Sequence, residues 1–232
     1  MVLNWLPTYY LPLETMVLRD ISAATPFDPQ TASSISFCHC SFDWQKASSR
    51  SFQQYAVQRP IEACNWSSKR LSEFLAGRFC AIKALARLDP SGAPSVSSQL
   101  PIQEDHSPQW PKGTVGSISH SHNRAIAIAG RTTEFVGLGI DYEPVMSDLA
   151  AAEIAPWVLH PEDLQCEINI PISYGFLVTL LFSAKESLFK ALSSKALSSG
   201  AKNSPDFGDF MPSVSVSRVT ANALFFKNTV RT

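Results

Sequence analysis

Little of this 232-residue chain is charged: Asp, Glu, Lys and Arg make up 17% of it and cancel to a net charge of −1. It has no polybasic field, which excludes binding to nucleic acid through bulk charge. No apolar run approaches the roughly 20 residues that a helix needs to cross a bilayer, and the longest, Gly175 to Leu181, falls far short. No basic residue precedes Arg19, and Pro7 and Pro12 interrupt the N-terminal stretch, so a secretory leader is not expected. The five cysteines, Cys38, Cys40, Cys64, Cys80 and Cys166, form an odd and unpatterned set. That fits reduced thiols in a cytoplasmic protein better than a disulfide framework. Cys38-His39-Cys40 lacks a second ligand pair at finger-like spacing and reads as small, half-buried side chains on a strand.

The length allows one ordinary domain or two small lobes. Residues 1 to about 60 are rich in Pro, Ser and aromatics without a sustained helical period, and read as strands and loops. From Ser67 to Leu88, apolar residues at Leu71, Phe74, Leu75, Phe79, Ile82 and Leu85 recur at helical steps. Pro90 to Pro101 is a loop, and Pro108-Gln-Trp-Pro111 a rigid turn. Ala125 to Ala129 is strand-like, and Gly130 to Thr133 reads as a turn joining it in a hairpin to a strand that carries Asp141. Helices are expected around Asp148 to Ile154 and Phe176 to Leu197, a polar loop from Ser193 to Asp209, and a short hairpin over Val214 to Val230. No internal repeat is visible. The fold class is α/β or α+β.

The chemistry concentrates in a few stretches. In Phe182-Ser-Ala-Lys-Glu-Ser-Leu-Phe-Lys190, Glu186 and Lys190 are four apart and share a helical face, with Lys185 beside them. A surface i,i+4 pair accounts for that spacing equally well. In Gly139-Ile-Asp-Tyr-Glu143, the two carboxylates are two apart, so an extended strand points both one way. Like charges held that close call for a cation between them, and magnesium takes carboxylate oxygens, water and phosphates. Arg70 and Arg78 lie eight apart, in line on one flank of a helix, and arginine grips phosphate bidentately. Two solvated arginines remain the plain alternative. Gly116-Ser-Ile-Ser-His-Ser-His122 puts His120 and His122 on one strand face without a third zinc ligand. Donation from a histidine to a phosphate beside small hydroxyls is the better functional reading.

Gly116-Ser-Ile-Ser-His120, Gly139-Ile-Asp-Tyr-Glu143 and Phe182 to Lys190 together resemble the surfactin-type 4′-phosphopantetheinyl transferases. Lys69-Arg-Leu-Ser-Glu-Phe-Leu-Ala-Gly-Arg78 and Trp110-Pro111 resemble the enterobactin synthase component D branch in particular, with a weaker echo in Phe207-Gly-Asp-Phe210. The likeness covers residues 67 to 192. It implies transfer of the phosphopantetheine arm of coenzyme A to a serine of an apo acyl or peptidyl carrier protein, with release of 3′,5′-ADP, in siderophore or secondary-metabolite biosynthesis. By matching position, Asp141, Glu143 and Glu186 would hold magnesium, and Glu186, directly or through a water, would take the serine proton. Lys185 and Lys190 would neutralise phosphate charge, with Lys190 near the leaving oxygen. His120, with Ser119 beside it, would contact a phosphate of coenzyme A, and Arg70 and Arg78 would grip its nucleotide end. The resemblance implies a cytoplasmic monomer of two similar lobes related by a pseudo-twofold axis, residues 1–134 for the nucleotide and 135–232 for magnesium and the catalytic helix. Two features depart from the family: Ile102-Gln-Glu-Asp-His106 is acidic where basic residues are usual, with Lys112 available to compensate, and the tail after Phe210 is short. A metal-dependent phosphohydrolase, or a module that binds carrier protein or coenzyme A without catalysis, stands as the alternative.

Overall fold

The computed structural model describes residues 19–20, 35–46, 48–88, 99–104, 106–165, 167–168, 172–198, 207–219 and 224–228. The fold is mixed α/β. Its first sheet has strands β1 (Arg19–Asp20), β2 (Ser36–Ser41), β3 (Thr114–Ser121) and β4 (Arg124–Arg131), in the order β1-β2-β4-β3 with every pair antiparallel. Between β2 and β3 come helix α1 (Ser49–Gln54) and the long helix α2 (Ser68–Leu88).

The sequence of β4 explains how the layers stack. Its alternation Ala-Ile-Ala-Ile-Ala puts small residues on one face and bulky ones on the other. Ala125, Ala127 and Ala129 admit α2 closely, and there Leu75, Phe79, Cys80 and Ala84 pack with Cys38 and Cys40. Ile126 and Ile128 face the opposite side, against Val115, Leu138 and Ile140. Cys38 and Cys40 are thus wholly buried core residues, rather than half-buried.

The hairpin lies elsewhere than the sequence suggests. β4 pairs with β3, not with the Asp141 stretch, and the turn is His122-Asn123 with φ of 46° and 61°. Two successive positive φ values make the tight turn that suits the twist of a hairpin, and Asn tolerates them. His122 therefore sits in the turn and does not share a strand face with His120. The Asp141 stretch runs beside β3 as extended chain outside any strand ladder.

The second half holds helix α3 (Asp148–Val158), strand β5 (Glu167–Ile168), helices α4 (Tyr174–Ser198) and α5 (Phe207–Ser213), and strands β6 (Val214–Val219) and β7 (Leu224–Asn228). Ser147 caps α3, its hydroxyl accepting from the Ala150 amide at 3.2 Å. β5 pairs parallel with β6, and β6 antiparallel with β7, which forms the expected terminal hairpin. α4 continues to Ser198 where a loop was expected from Ser193, and residues 199–206 lie outside the described set. Ala151, Ala155 and Val178 join α3 to α4, while Phe210 and Met211 of α5 pack with Val158 and Phe189.

Gly139 brings the two halves together. A Cβ there would lie 1.8 Å from the Ser187 carbonyl oxygen, so only glycine lets the chain pass against the backbone of α4. That crossing sets Asp141 beside Glu186 and Lys190. Among the described residues, no helix is long and apolar enough to cross a membrane.

Candidate active site

Where α4 crosses the Asp141 stretch, three side chains close on one another. The Lys190 ammonium donates to Asp141 Oδ1 at 3.0 Å and to the Ile140 carbonyl at 3.3 Å, and lies 2.7 Å from Glu186 Oε1. Asp141 has 1% of its side chain exposed, and its Oδ2 is buried without a hydrogen-bond partner. A buried carboxylate oxygen left open in this way is a place for a cation. Burial raises the Glu186 pKa, and Asp141 pushes it further against the pull of Lys190. Glu143 is also raised, first by burial and then by Asp141 and Glu186, while its bond from Ser121 opposes the shift. The three carboxylates therefore feel one another, and Lys190 offsets only part of their burial and mutual repulsion.

Among the described residues, no group of three His, Cys, Asp or Glu side chains is gathered tightly enough to cage an ion. Magnesium does not require a cage: one or two carboxylates, waters and substrate phosphates complete its shell. The open Asp141 Oδ2 with Glu186 and Glu143 nearby meets that need, so the residues present fit the ion.

The cations arrive from the first half of the chain. His120, on β3, has Nδ1 4.0 Å from Glu73 Oε2 of α2. Burial lowers the His120 pKa, and Arg70 and Lys190 lower it further, while Glu73 acts to raise it. Arg70 stacks over Trp66 at 5.3 Å, and Arg78 over Phe74 at 4.6 Å. Arg78 is buried, donates from Nε to the Leu100 carbonyl at 2.8 Å, and has its pKa lowered to about 10, first by burial and then by Arg70. Arg70, His120 and Lys190 thus share one electrostatic neighbourhood, with Arg78 behind Arg70.

Lys185 does not join them. One residue along a helix is a rotation of about 100°, enough to carry it off the face of Glu186 into the interior of the second half. Its ammonium is wholly buried and donates to Asp163 Oδ2 at 2.6 Å, to the Val158 carbonyl at 2.8 Å and to the Met211 carbonyl at 3.1 Å. All three donors are taken. The expected phosphate contact from Lys185 finds no free donor in this arrangement. Ser119 likewise has its hydroxyl engaged with Asp141. The residues that sequence reasoning passed over are Asp163, which had no motif around it, and Glu73, an ordinary acidic position on an amphipathic helix.

Beside the cluster opens a cavity of about 490 Å³, lined by Trp110 and His106 on one side, Gly116 and Ser117 below, and Phe189 and Lys190 of α4 on the other. Gly116 lets the Trp110 ring of that lining pack against β3, since a Cβ there would lie 2.5 Å from the ring. Before Trp110, the Gln103 amide donates to the Ser107 carbonyl and Ile102 bridges Pro108, which sets Gln103, His106 and Ser107 in the cavity lining. A hollow of 470 Å³ beside α1 is lined by Phe52, Arg59 and Gln99 and holds none of the site's carboxylates or lysines.

A buried carboxylate oxygen without a partner, a lysine against it, and a histidine and an arginine in the same electrostatic neighbourhood form an arrangement that suits a phosphate ester. Two family models match the chain: the 4′-phosphopantetheinyl transferase N-terminal domain over residues 60–130, and the 4′-phosphopantetheinyl transferase superfamily over residues 137–228. The chain belongs to the 4′-phosphopantetheinyl transferase superfamily. It is 35% identical over 127 residues to enterobactin synthase component D of Salmonella typhi, covering 55% of this chain and 50% of that protein. To the protein of the same name from Escherichia coli (strain K12) it is 34% identical over 123 residues, 53% of this chain and 55% of the relative. It is 32% identical over 130 residues to the 4′-phosphopantetheinyl transferase Svp of Streptomyces mobaraensis, 53% of this chain and 48% of the relative. The chain spans about half the length of the curated relatives it matches.

Proposed function

We propose that this protein transfers the 4′-phosphopantetheine arm of coenzyme A to a serine hydroxyl of an apo acyl or peptidyl carrier protein and releases 3′,5′-ADP. The observation that carries the proposal is the joining of Asp141, Glu186 and Lys190 at the crossing of α4, beside an open cavity and within the field of His120 and Arg70.

Asp141, Glu186 and Glu143 would hold magnesium, which supplies charge neutralisation on the pyrophosphate when bound. Lys190 holds Asp141, Glu186 and the Ile140 carbonyl and is 24% exposed, so a phosphate oxygen entering the cleft would take the place of one of those partners. Arg70 adds positive charge in the same neighbourhood, His120 would gain a proton beside a bound phosphate, and Arg78 stiffens the flank on which Arg70 stands. Glu186, with its pKa raised by burial, is suited to accept the proton of the carrier serine as that oxygen attacks phosphorus. The rest of the catalysis is positioning and charge stabilisation, the main demands of phosphoryl transfer.

We place residues 1–134 at the nucleotide end and 135–232 at the catalytic end, in two lobes related by a pseudo-twofold axis. We place it as a monomer in the cytoplasm; service to a siderophore or related synthase accords with the names of the relatives, and a reducing compartment with the buried, unbridged thiols Cys40 and Cys80.

Release of 3′,5′-ADP from coenzyme A should require a carrier with its acceptor serine and should stop with a Ser→Ala carrier. Glu186→Gln should abolish release while coenzyme A still binds. Release without any carrier would identify a phosphohydrolase instead, and full activity of Glu186→Gln would remove that residue from the proton transfer.

A further inference from the structure

Three serines of β3, Ser117, Ser119 and Ser121, stand on one face of the strand at every second position and bind the Asp141 stretch in register. The Ser117 hydroxyl accepts from the Ile140 amide at 3.1 Å. The Ser119 hydroxyl accepts from the Tyr142 amide at 3.2 Å and donates its one proton to Asp141 Oδ1 at 2.8 Å. The Ser121 hydroxyl lies 2.9 Å from His122 Nδ1 and 3.2 Å from Glu143 Oε2, and donates its one proton to Glu143 in the tautomer whose Nδ1–H donates to Ser121. Hydroxyls thus take the place of the carbonyl acceptors that a paired strand would offer, which is why this stretch lies beside β3 without a ladder.

The consequence falls on Asp141. Its Oδ1 receives two donors, the Ser119 hydroxyl and the Lys190 ammonium. Its Oδ2 receives none, though both oxygens sit in a side chain only 1% exposed. Two donors on one oxygen fix the carboxylate plane and leave the second oxygen as the open ligand. We propose that Ser119 is a positioning residue that holds Asp141 so that Oδ2 faces the divalent cation, and that Ser121 does the same for Glu143. Ser119 then acts through a carboxylate instead of touching coenzyme A. This inference rests on the metal-dependent reading of the site, and it adds how the chain orients the ligands.

The test is Mn2+ binding, followed by the loss of the free-ion electron paramagnetic resonance signal, with the full chain alone and with coenzyme A present over a coenzyme A blank. Removing a partner that orients a metal ligand typically weakens metal affinity 10- to 100-fold. Ser119→Ala should raise the Mn2+ dissociation constant about tenfold. Ser117→Ala removes a backbone bond of the same ladder but touches no carboxylate, so its Mn2+ affinity should stay within about twofold of the parent while its urea midpoint falls. Ser121→Ala, at a part-buried position, gives the same reading through Glu143 if Ser119→Ala does not fold. Unchanged Mn2+ affinity in folded Ser119→Ala or Ser121→Ala, or equal losses in all three variants, would overturn the positioning role alone. No Mn2+ binding by the parent chain under either condition would overturn it together with the metal-dependent reading.

Discussion

Lys185 and Lys190 show how far apart in role two lysines of one helical motif can be. Lys190 stands at the cleft with 24% of its side chain exposed, whereas Lys185 is wholly buried against Asp163. Lys185→Met would leave the Asp163 carboxylate charged in an apolar surrounding. Breaking a buried pair from one side costs about 3–5 kcal/mol, so this variant should unfold at a much lower urea concentration, as followed by circular dichroism. Retained stability with lost coenzyme A binding would instead return Lys185 to the phosphates. His120 carries a second prediction at this scale. Burial puts its folded pKa below the ordinary ~6.5, so the unfolded chain holds this proton more readily than the folded one. Its contribution to stability is therefore present above about 6.5 and is lost as pH falls through the folded pKa. A phosphate beside the ring favours the protonated imidazole, so binding of 3′,5′-ADP should take up a proton and tighten as pH falls from 8 towards 6. Calorimetry in two buffers of different ionisation enthalpy measures that uptake, and His120→Gln should remove most of it.

At the scale of elements, the crossing of α4 over the Asp141 stretch gathers the carboxylates, and the chain carries their repulsion as a local cost. The raised pKa values of Glu143 and Glu186 mean that the folded state holds their protons more tightly than the unfolded chain does. Their contribution to stability is full below the ordinary carboxylate pKa of about 4.3 and is lost as pH rises through the folded values. In metal-free protein at neutral pH, Glu143→Gln should therefore raise Tm, and added magnesium should raise the Tm of the parent chain more than that of the variant. Lower stability of Glu143→Gln under those conditions would contradict the account. The sequence disclosed much of this element: Val136, Leu138 and Ile140 alternating before Asp141 marked an extended chain, and the period of α4 put Glu186 with Lys190. It misled over pairing. Gly130 to Thr133 has the stronger turn composition, but β4 runs through to Arg131, and the hairpin turn is His122-Asn123, which carries no glycine. The hydroxyl ladder was out of reach, because Ser117, Ser119 and Ser121 read from sequence only as small residues. Their partners lie 22 or 23 positions on. Lys185 was misplaced for a similar reason: spacing gives the helical face, while Asp163 and the Val158 and Met211 carbonyls, which claim it, come from distant turns of chain.

At the scale of the whole molecule, each half of the chain brings what the other lacks. The first supplies His120 on its sheet, and Arg70 and Arg78 on α2, which the alanines of β4 let pack closely against that sheet. The second supplies α4 with Glu186 and Lys190, anchored from behind by the buried Lys185–Asp163 pair. Asp141 and Glu143 lie on the stretch between, tied by serines to β3 and crossed by α4 at Gly139. The central claim is that this junction moves a phosphopantetheine arm, and the most direct measurement is the intact mass of an apo carrier protein incubated with this protein, coenzyme A and magnesium. A gain of one phosphopantetheine arm that is lost when EDTA is added is the expected result. No gain on several unrelated carriers, from folded protein that binds coenzyme A, would contradict it.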